Sequence, residues 1–508
     1  MPLKQFLLDT LSSLPGARTL HLYTIIASPT RDKELFVYAP VRPKIHVRHH
    51  LILLAQHAPD KPAERVFVCA IEAFLYSIPS TSSAILYISK VDSSGQADIR
   101  PNPTRALVTA FLEYYSSPNN RPAPNLWIHV FARAQNQYLF PNSAEHPGKR
   151  VLRDISLCKW WKDVIEQVAM KNDPSWVRLY YLLPGYSSVE ATAALNKSFS
   201  STPGYPWTYS HPYHQTDVCP PCGGPIEQDA QLSIAQLIPS FPDDPKARFL
   251  DEIASTPSEA PDALPKVPPT SPSRPQKRFR ANPEPEIDSS SASSSTSPNK
   301  SRSNKSVSPA AQRALAAVPI DEFWERIAYR QECSQGAITG FFAALFTSPN
   351  STRNLPIVSH FYEPALPPSP PGELPLLLLE RIITMLMNLD FGTTERARRA
   401  TGVLEDAIRG LCDKGSSFVQ QQQSQPRESS LADTSVMDDM AETTNVGGSG
   451  ASASFEEYIY GCVILDNPPL PSVSVLSVGS GGIGSGGSEE RPVTILQVRK
   501  KKRPAAPS

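Results

Sequence analysis

The chain has 508 residues, of which 53 are proline, about twice the usual share, and only 19% are charged. Its 49 basic and 49 acidic residues cancel, which excludes a global positive field for gripping nucleic acid; basic contacts must be local, and sequence-specific nucleic-acid binding is not expected. The length allows about three domains and the 40% hydrophobic fraction allows a sizeable core, but the proline excess excludes a chain folded uniformly throughout.

Met1 to Pro15 carries Lys4 and then the acidic Asp9, a poor secretory leader. No apolar run reaches the ~18 residues of a membrane span; Leu374 to Leu379 is the greasiest stretch. The seven cysteines are odd in number and mostly isolated, which is no disulfide framework and suits a reducing compartment. The expectation is a soluble intracellular protein with no membrane partner.

Residues 1–254 read as globular. Val66, Val68, Ile71 and Leu75 sit among aromatic and β-branched residues, Ala84 to Ser89 predicts a strand, and Lys90 to Gly95 predicts the turn after it. Thr104 to Tyr115 carries Leu107, Phe111 and Tyr114 at helical spacing, and Asn125 to Ala132 alternates as a strand through Leu126, Ile128 and Val130. Leu157, Trp160, Trp161, Val164 and Val168 share a helical face. The order strand, helix, strand, helix predicts an α/β domain and favours parallel pairing. Residues 255–318 are dominated by proline and serine and read as a disordered insertion. Helices resume over 319–415, with faces at Phe323, Trp324, Ile327 and Ala328, at Leu376 to Met387 and at Val403 to Leu411. Residues 416–508 read mostly as tail, with Tyr458 to Leu465 able to dock as a strand.

The segment from Ser240 to Phe249 is the most informative. Pro242 and Pro245 bracket Asp243 and Asp244, with Lys246 and Arg248 beside them. Pro245 disfavours the helical region for Asp244, and in extended chain neighbouring side chains point apart. One aspartate can then face a cleft while the other anchors the loop; an N-cap aspartate with proline at the first helical position is the plainer reading. Trp160 and Trp161 diverge by ~100° on a helix, so one indole can enter the core and the other line a pocket. His211, His214, Cys219 and Cys222 have a spacing that could hold tetrahedral zinc, with a redox pair or an ordinary loop as alternatives. Asp390-Phe391-Gly392 mimics a kinase motif without the rest of the kinase set. Basic clusters at Lys277 to Arg280 and Arg499 to Arg503 read as nuclear import signals or acidic-partner patches.

Gln137-Tyr138-Leu139-Phe140-Pro141, Lys159-Trp160-Trp161 and Phe241 through Phe249 together resemble the signature of the fungal histone H3 lysine acetyltransferases of the regulator-of-Ty-transposition type. Ile88 to Asp92, Phe323 to Arg326, Arg330 to Glu332 and the basic carboxyl end fall in the same order. The Pro/Ser insertion is long here, and the His211–Cys222 loop is not part of that pattern.

The resemblance implies a mixed central sheet surrounded by helices, similar to the CREB-binding-protein type of acetyltransferase. It implies acetyl transfer from acetyl-CoA to lysines of histone H3, with H3–H4 and histone chaperones as partners, in the nucleus. It places Asp244 as proton acceptor with Asp243 beside it, Trp161 near the substrate lysine, Asp92 as a required aspartate, either in the catalytic set or structural as the cap of the turn before Gly95, and Lys246 as a self-acetylated residue. Carried over as cofactor residues are Val91, Arg100, Arg105, Phe131, Gln135, Lys149, Arg150, Val151, Leu152 and Trp160. No metal is implied. A nuclear scaffold that binds through Pro-rich segments and lacks catalysis is the alternative; acetyl-CoA turnover separates the two.

Overall fold

Long β-branched and aromatic runs make the centre of the molecule a sheet. The computed structural model describes residues 1–195, 205–223, 232–255, 307–329, 338–348, 372–423 (side chains to 412) and 455–469. Met1–Pro469 form one compact unit. The basic clusters, the Pro/Ser segment over 256–306 and the carboxyl end beyond 469 lie outside the described residues.

In chain order the elements are α1 (Leu3–Leu11), β1 (Arg18–Ile26), β2 (Thr30–Asp32), β3 (Ile45–His57), β4 (Val66–Ile78), β5 (Ser83–Ser93), α2 (Thr104–Ser116), β6 (Asn125–Ala132), α3 (Asp154–Ala169), β7 (Val177–Leu182), α4 (Ser188–Leu195) and β8 (Trp207–Tyr209). Then follow α5 (Ile234–Leu237), α6 (Pro245–Ser255), α7 (Pro309–Ala316), α8 (Ile320–Ile327), β9 (Gly340–Phe346), α9 (Leu376–Met387), α10 (Thr394–Gln423) and β10 (Tyr460–Leu465). The strands form one mixed sheet in the order β10-β1-β3-β4-β5-β6-β9-β7-β8, with β2 on β3.

The expected α/β mixed sheet with surrounding helices is what the chain builds. Parallel pairing is confined to β5–β6, across α2, and to β7–β8. After α3 the chain does not return beside β6. The antiparallel strand β9, arriving from far along the sequence, fills that place. β9 reads Gly-Phe-Phe-Ala-Ala-Leu-Phe, is buried throughout, and lies in the stretch expected to be helical. It is covered on both faces, so period-2 alternation is lost.

Both faces of the sheet are buried. Leu126, Ile128 and Val130 of β6 join the main core with α1, α2, α3, α9 and α10. On the other side Trp127 packs with Tyr76, Tyr87 and Phe241, and Phe341 packs with α5 to α8. Two boundaries differ from expectation. Lys90 to Ser93 continue β5 rather than turning, because Lys90, Val91, Asp92 and Ser93 keep partners on β4. Pro309–Ala316 is helical, within the stretch assigned to the insertion, and buries Ala311 and Leu315. Tyr460–Leu465 does dock, as an edge strand on β1.

Candidate active site

The β5–β6 pairing ends at Ile88 and Val130. A bulge follows in β5, where the β4 register shifts between Glu72 and Ala73 and skips Ser89. Bulges re-aim side chains, and ligands of open α/β sheets bind beyond the carboxyl ends of parallel strands. Here the strands part and leave a cleft of about 320 Å³ lined by Ile88 to Ser93 on one side and Val130 to Arg133 on the other. Thr104 and Arg105, the first residues of α2, and Arg150 to Leu152, just before α3, close it. Helix N-termini favour anions. The wall carries six cations (Lys90, Arg100, Arg105, Arg133, Lys149, Arg150) against one carboxylate, Asp92.

All ten cofactor positions carried over from the resemblance lie on this wall, as do Asp92 and Trp161. Trp160 and Trp161 meet edge to face at 4.8 Å and 82°. Trp161 is buried in the core while Trp160 is half-buried under the Arg105 guanidinium, 5.7 Å from its centroid. That is the division of labour the adjacent pair allows.

Two roles need correction. Asp92 is not available for proton transfer. Its Oδ2 accepts the amides of Tyr138, Leu139 and Phe140 at 2.7, 2.9 and 3.1 Å. Its Oδ1 accepts the Ser93 amide and the Lys149 ammonium, both at 2.9 Å. A carboxylate has about four lone-pair sites, and five donors saturate it. Asp92 is the clamp on which the 138–140 turn is folded. Lys149 is the other half. Its charged end is spent on Asp92 and, at 2.6 Å, on Ser143 Oγ, with the side chain 5% exposed. It lines the cleft without offering it a charge.

Asp243 and Asp244 divide into an exposed and a buried carboxylate, but in a turn and not in extended chain; neither lines the cleft, and the plainer N-cap reading holds for Asp244. Pro245 opens α6, and Asp244 caps it by accepting the Lys246 amide at 2.9 Å. Asp244 is buried, and its second oxygen takes the Lys246 ammonium. Lys246 is buried too, its charge lying 4.6 Å from the centroid of Phe341 and 5.6 Å from that of Phe241. Phe341 stacks on the cleft residue Phe131 at 4.8 Å. Neither Asp244 nor Lys246 lines the cleft; Lys246 lines a smaller cavity of about 20 Å³ that shares Val130 with it.

Asp243, by contrast, has a side chain 73% exposed and a φ of +59°. Its Oδ2 lies 3.6 Å from Nζ of Lys90, a cleft residue. Lys90 belongs first to buried Glu72, at 2.6 Å. Glu72 also takes His49 Nε2 at 3.0 Å. Burial alone raises the Glu72 pKa, but these two partners outweigh it and hold the carboxyl below its usual value.

Spacing missed several of these groups. Arg133 and Asn102 on the cleft wall, and Glu72 beneath it on Lys90, carry no local signature, because strand pairing and turns bring them there. The zinc reading is overturned in its cysteines. Nε2 of His211 and His214 lie 3.0 and 2.9 Å from Oδ1 of Asp321 in α8, and neither Cys219 nor Cys222 joins them. His211 Nδ1 accepts the Tyr213 amide at 3.2 Å. Its proton therefore sits on Nε2 and is donated to Asp321, where a metal ion would need a lone pair. The trio is a hydrogen-bonded clasp between the 205–214 loop and α8. Asp390 and Gly392 likewise form a turn, with Phe391 buried edge-on against Phe140 at 4.8 Å.

A mixed sheet with a cationic, indole-walled cleft at the end of its parallel β5–β6 pair defines a fold whose cleft suits an anionic ligand. Residues 108–407, more than half of the chain, match the family model of the histone acetyltransferase KAT11-type domain, and the chain belongs to that family. It is similar to histone acetyltransferase rtt109 of Aspergillus flavus, 27% identical over 377 residues. That match takes in 68% of this chain and 57% of the relative's length. The protein of the same name from Schizosaccharomyces pombe is 22% identical over 344 residues, 65% of this chain and 68% of its own. The fold resembles the crystal structure of Rtt109 from Aspergillus fumigatus, with a TM-score of 0.58 and 23% identity over 80% of this chain and 96% of that one.

Proposed function

We propose that the protein transfers the acetyl group of acetyl-CoA to lysine side chains of histone H3. The observation that carries this is the cleft where β5 and β6 part, with Arg100, Arg105, Arg133, Arg150 and two helix beginnings on its wall. Such a surface suits the phosphates of coenzyme A, and Phe131 and Trp160 suit its pantetheine arm. Acetyl-CoA supplies the activated acyl group; everything else falls to the chain's own residues.

The incoming lysine must be neutral to attack. From a pKa of ~10.4, deprotonation at neutral pH costs about 4.6 kcal/mol. Asp243 is an exposed carboxylate beside the cleft residue Lys90 and meets the ammonium first. Its hold on Lys90 is long and solvated, a contact worth at most about 1 kcal/mol, so it is free to exchange partners. Desolvation then lowers the lysine pKa.

Asp244 can take a proton only when the Lys246 ammonium releases it. Acetylation of Lys246 does so. It removes the positive charge and leaves an amide N–H that still donates to the carboxylate. Lys246 is thus the modified residue whose state sets Asp244 free as a base. Trp161, buried behind Trp160, shapes the channel for the lysine stem. H3–H4 presented by a histone chaperone is the substrate, and the nucleus is the place of action.

Incubation of H3–H4 with acetyl-CoA, with and without chaperone, read by mass spectrometry, tests the proposal. Acetyl groups should appear on H3 and fall sharply in the Asp243→Asn, Asp244→Asn variant. Wild-type protein that turns over no acetyl-CoA, or a variant as active as wild type, would reject it.

A further inference from the structure

Arg18, the first residue of β1, is fully buried. Its guanidinium meets no carboxylate among the described residues. Instead Nη1 donates to the carbonyls of Ile99 and Pro101 at 3.2 and 2.9 Å, and Nη2 to those of Pro15 and Arg100 at 2.5 and 2.9 Å. Three consecutive carbonyls, 99 to 101, are thereby turned inward onto one cation. An uncompensated buried cation costs several kcal/mol, so this turn is strongly specified.

Gly16 seals it. With a φ of +91°, a Cβ there would lie 3.1 Å from Ile99 Cγ2, 3.2 Å from Arg18 Nη2 and 3.3 Å from the Arg100 oxygen. What the turn presents outward is the exposed side chain of Arg100, on the cleft wall. Asn102 follows, its Oδ1 accepting from Thr104 N at 2.9 Å and Thr104 Oγ1 at 2.6 Å at the start of α2.

We propose that Arg18 is a positioning residue for the anionic end of acetyl-CoA: by gathering the 99–101 carbonyls it aims Arg100 and the α2 N-terminus into the cleft. The inference rests on the acetyl-CoA reading above. Arginine is required because its planar fork reaches several acceptors at once, where a lysine offers three donors from a single point. The role is one of ligand selectivity: on the acetyl-CoA reading the turn serves the phosphates and not the acetyl end.

The test is equilibrium binding, by calorimetry, of coenzyme A and of S-acetylpantetheine, which lacks the nucleotide phosphates. Arg18→Lys should weaken coenzyme A about tenfold, the loss of one charge-assisted contact, and leave S-acetylpantetheine within about twofold. Arg100→Ala should do the same, and the double variant should be no weaker than either single, because both act on one contact. Amide exchange over residues 97–105 should quicken in Arg18→Lys. Should that variant fail to fold, Gly16→Ala strains the same turn and carries the same expectation. Equal weakening of both ligands, or full additivity with Arg100→Ala, overturns the role of Arg18. So does undiminished coenzyme A binding in Arg18→Lys. Wild-type protein that binds S-acetylpantetheine as well as coenzyme A overturns the acetyl-CoA reading itself.

Discussion

Lys246 gives its main-chain amide to one oxygen of Asp244 and its ammonium to the other, so two residues apart in sequence the pair closes on itself inside an aromatic cage. The side chains are 4% and 0% exposed. Removing one partner of such a pair strands a buried charge, at about 3–5 kcal/mol. Asp244→Asn should therefore lower the unfolding free energy by that order. Lys246→Gln in the Asp244→Asn background should recover most of it, since no charge is then left unpaired. Urea unfolding of the two single variants and the double decides the matter; an additive double variant counts against the pairing. In steady-state assays Lys246→Arg, which cannot be acetylated, should lose kcat and acetyl-CoA affinity.

Asp243 carries the opposite expectation. It is exposed and only loosely held by Lys90, so Asp243→Asn should leave stability within about 0.5 kcal/mol. Asparagine also tolerates the left-handed backbone at this position. Histone kcat/KM should fall about tenfold or more, the worth of one charged contact, while the KM for acetyl-CoA stays put. A matching rise in acetyl-CoA KM would place the carboxylate on the wrong ligand.

Asp92→Asn should behave as a folding variant. An amide there would set an NH2 group against either three main-chain donors or the Lys149 ammonium. The expected loss is about 3–5 kcal/mol, with exchange quickening across 138–150. Residual activity should keep the wild-type pH–rate profile; a lost acidic limb at full stability would return Asp92 to a catalytic role.

Acid should destabilise the protein well before its carboxylates titrate. Burial, aided by the neighbouring His49, holds the His50 imidazole down to a pKa of about 3. Its Nδ1 donates to the Arg48 carbonyl at 3.2 Å and its Nε2 accepts from Tyr115 Oη at 2.7 Å, so the neutral ring is fully used. Burial also lowers His129 to about 3, with Lys246 adding to the effect. The unfolded chain takes up these protons below the ordinary 6.5, and the folded chain does not until about 3. Stability is therefore complete above the unfolded value and declines as pH falls through this window, by up to about 1.4 kcal/mol per unit for each histidine. Urea midpoints measured from about pH 7 to 5 should drop, and less steeply in His50→Gln. Parallel slopes would contradict the assignment.

Local chemistry reached far into this site. The alternation of Leu126, Ile128 and Val130, the adjacent indoles Trp160 and Trp161, and Pro245 opening α6 after Asp244 follow from period 2, period 3.6 and proline geometry, whereas the left-handed turn at Asp243 does not. Such rules act over a few residues, so they say nothing about which oxygen meets which donor. Asp92 looked catalytic until the 138–140 amides folded onto it, and Lys149 looked cationic until Asp92 neutralised it.

What the chain determined alone was the inventory: an α/β domain, a pair of adjacent indoles and a proline-clamped acidic pair, with the cleft-wall residues supplied by the resemblance. Tertiary structure decided the rest. It placed β9 beside β6, set Lys90 between Glu72 and Asp243, shut Asp244 in with Lys246, and gave Arg18 three carbonyls from a turn about eighty positions away. Burial and long-range hydrogen bonds assign roles to charged groups, because the free energy of a charge depends on what surrounds it more than on its neighbours along the chain.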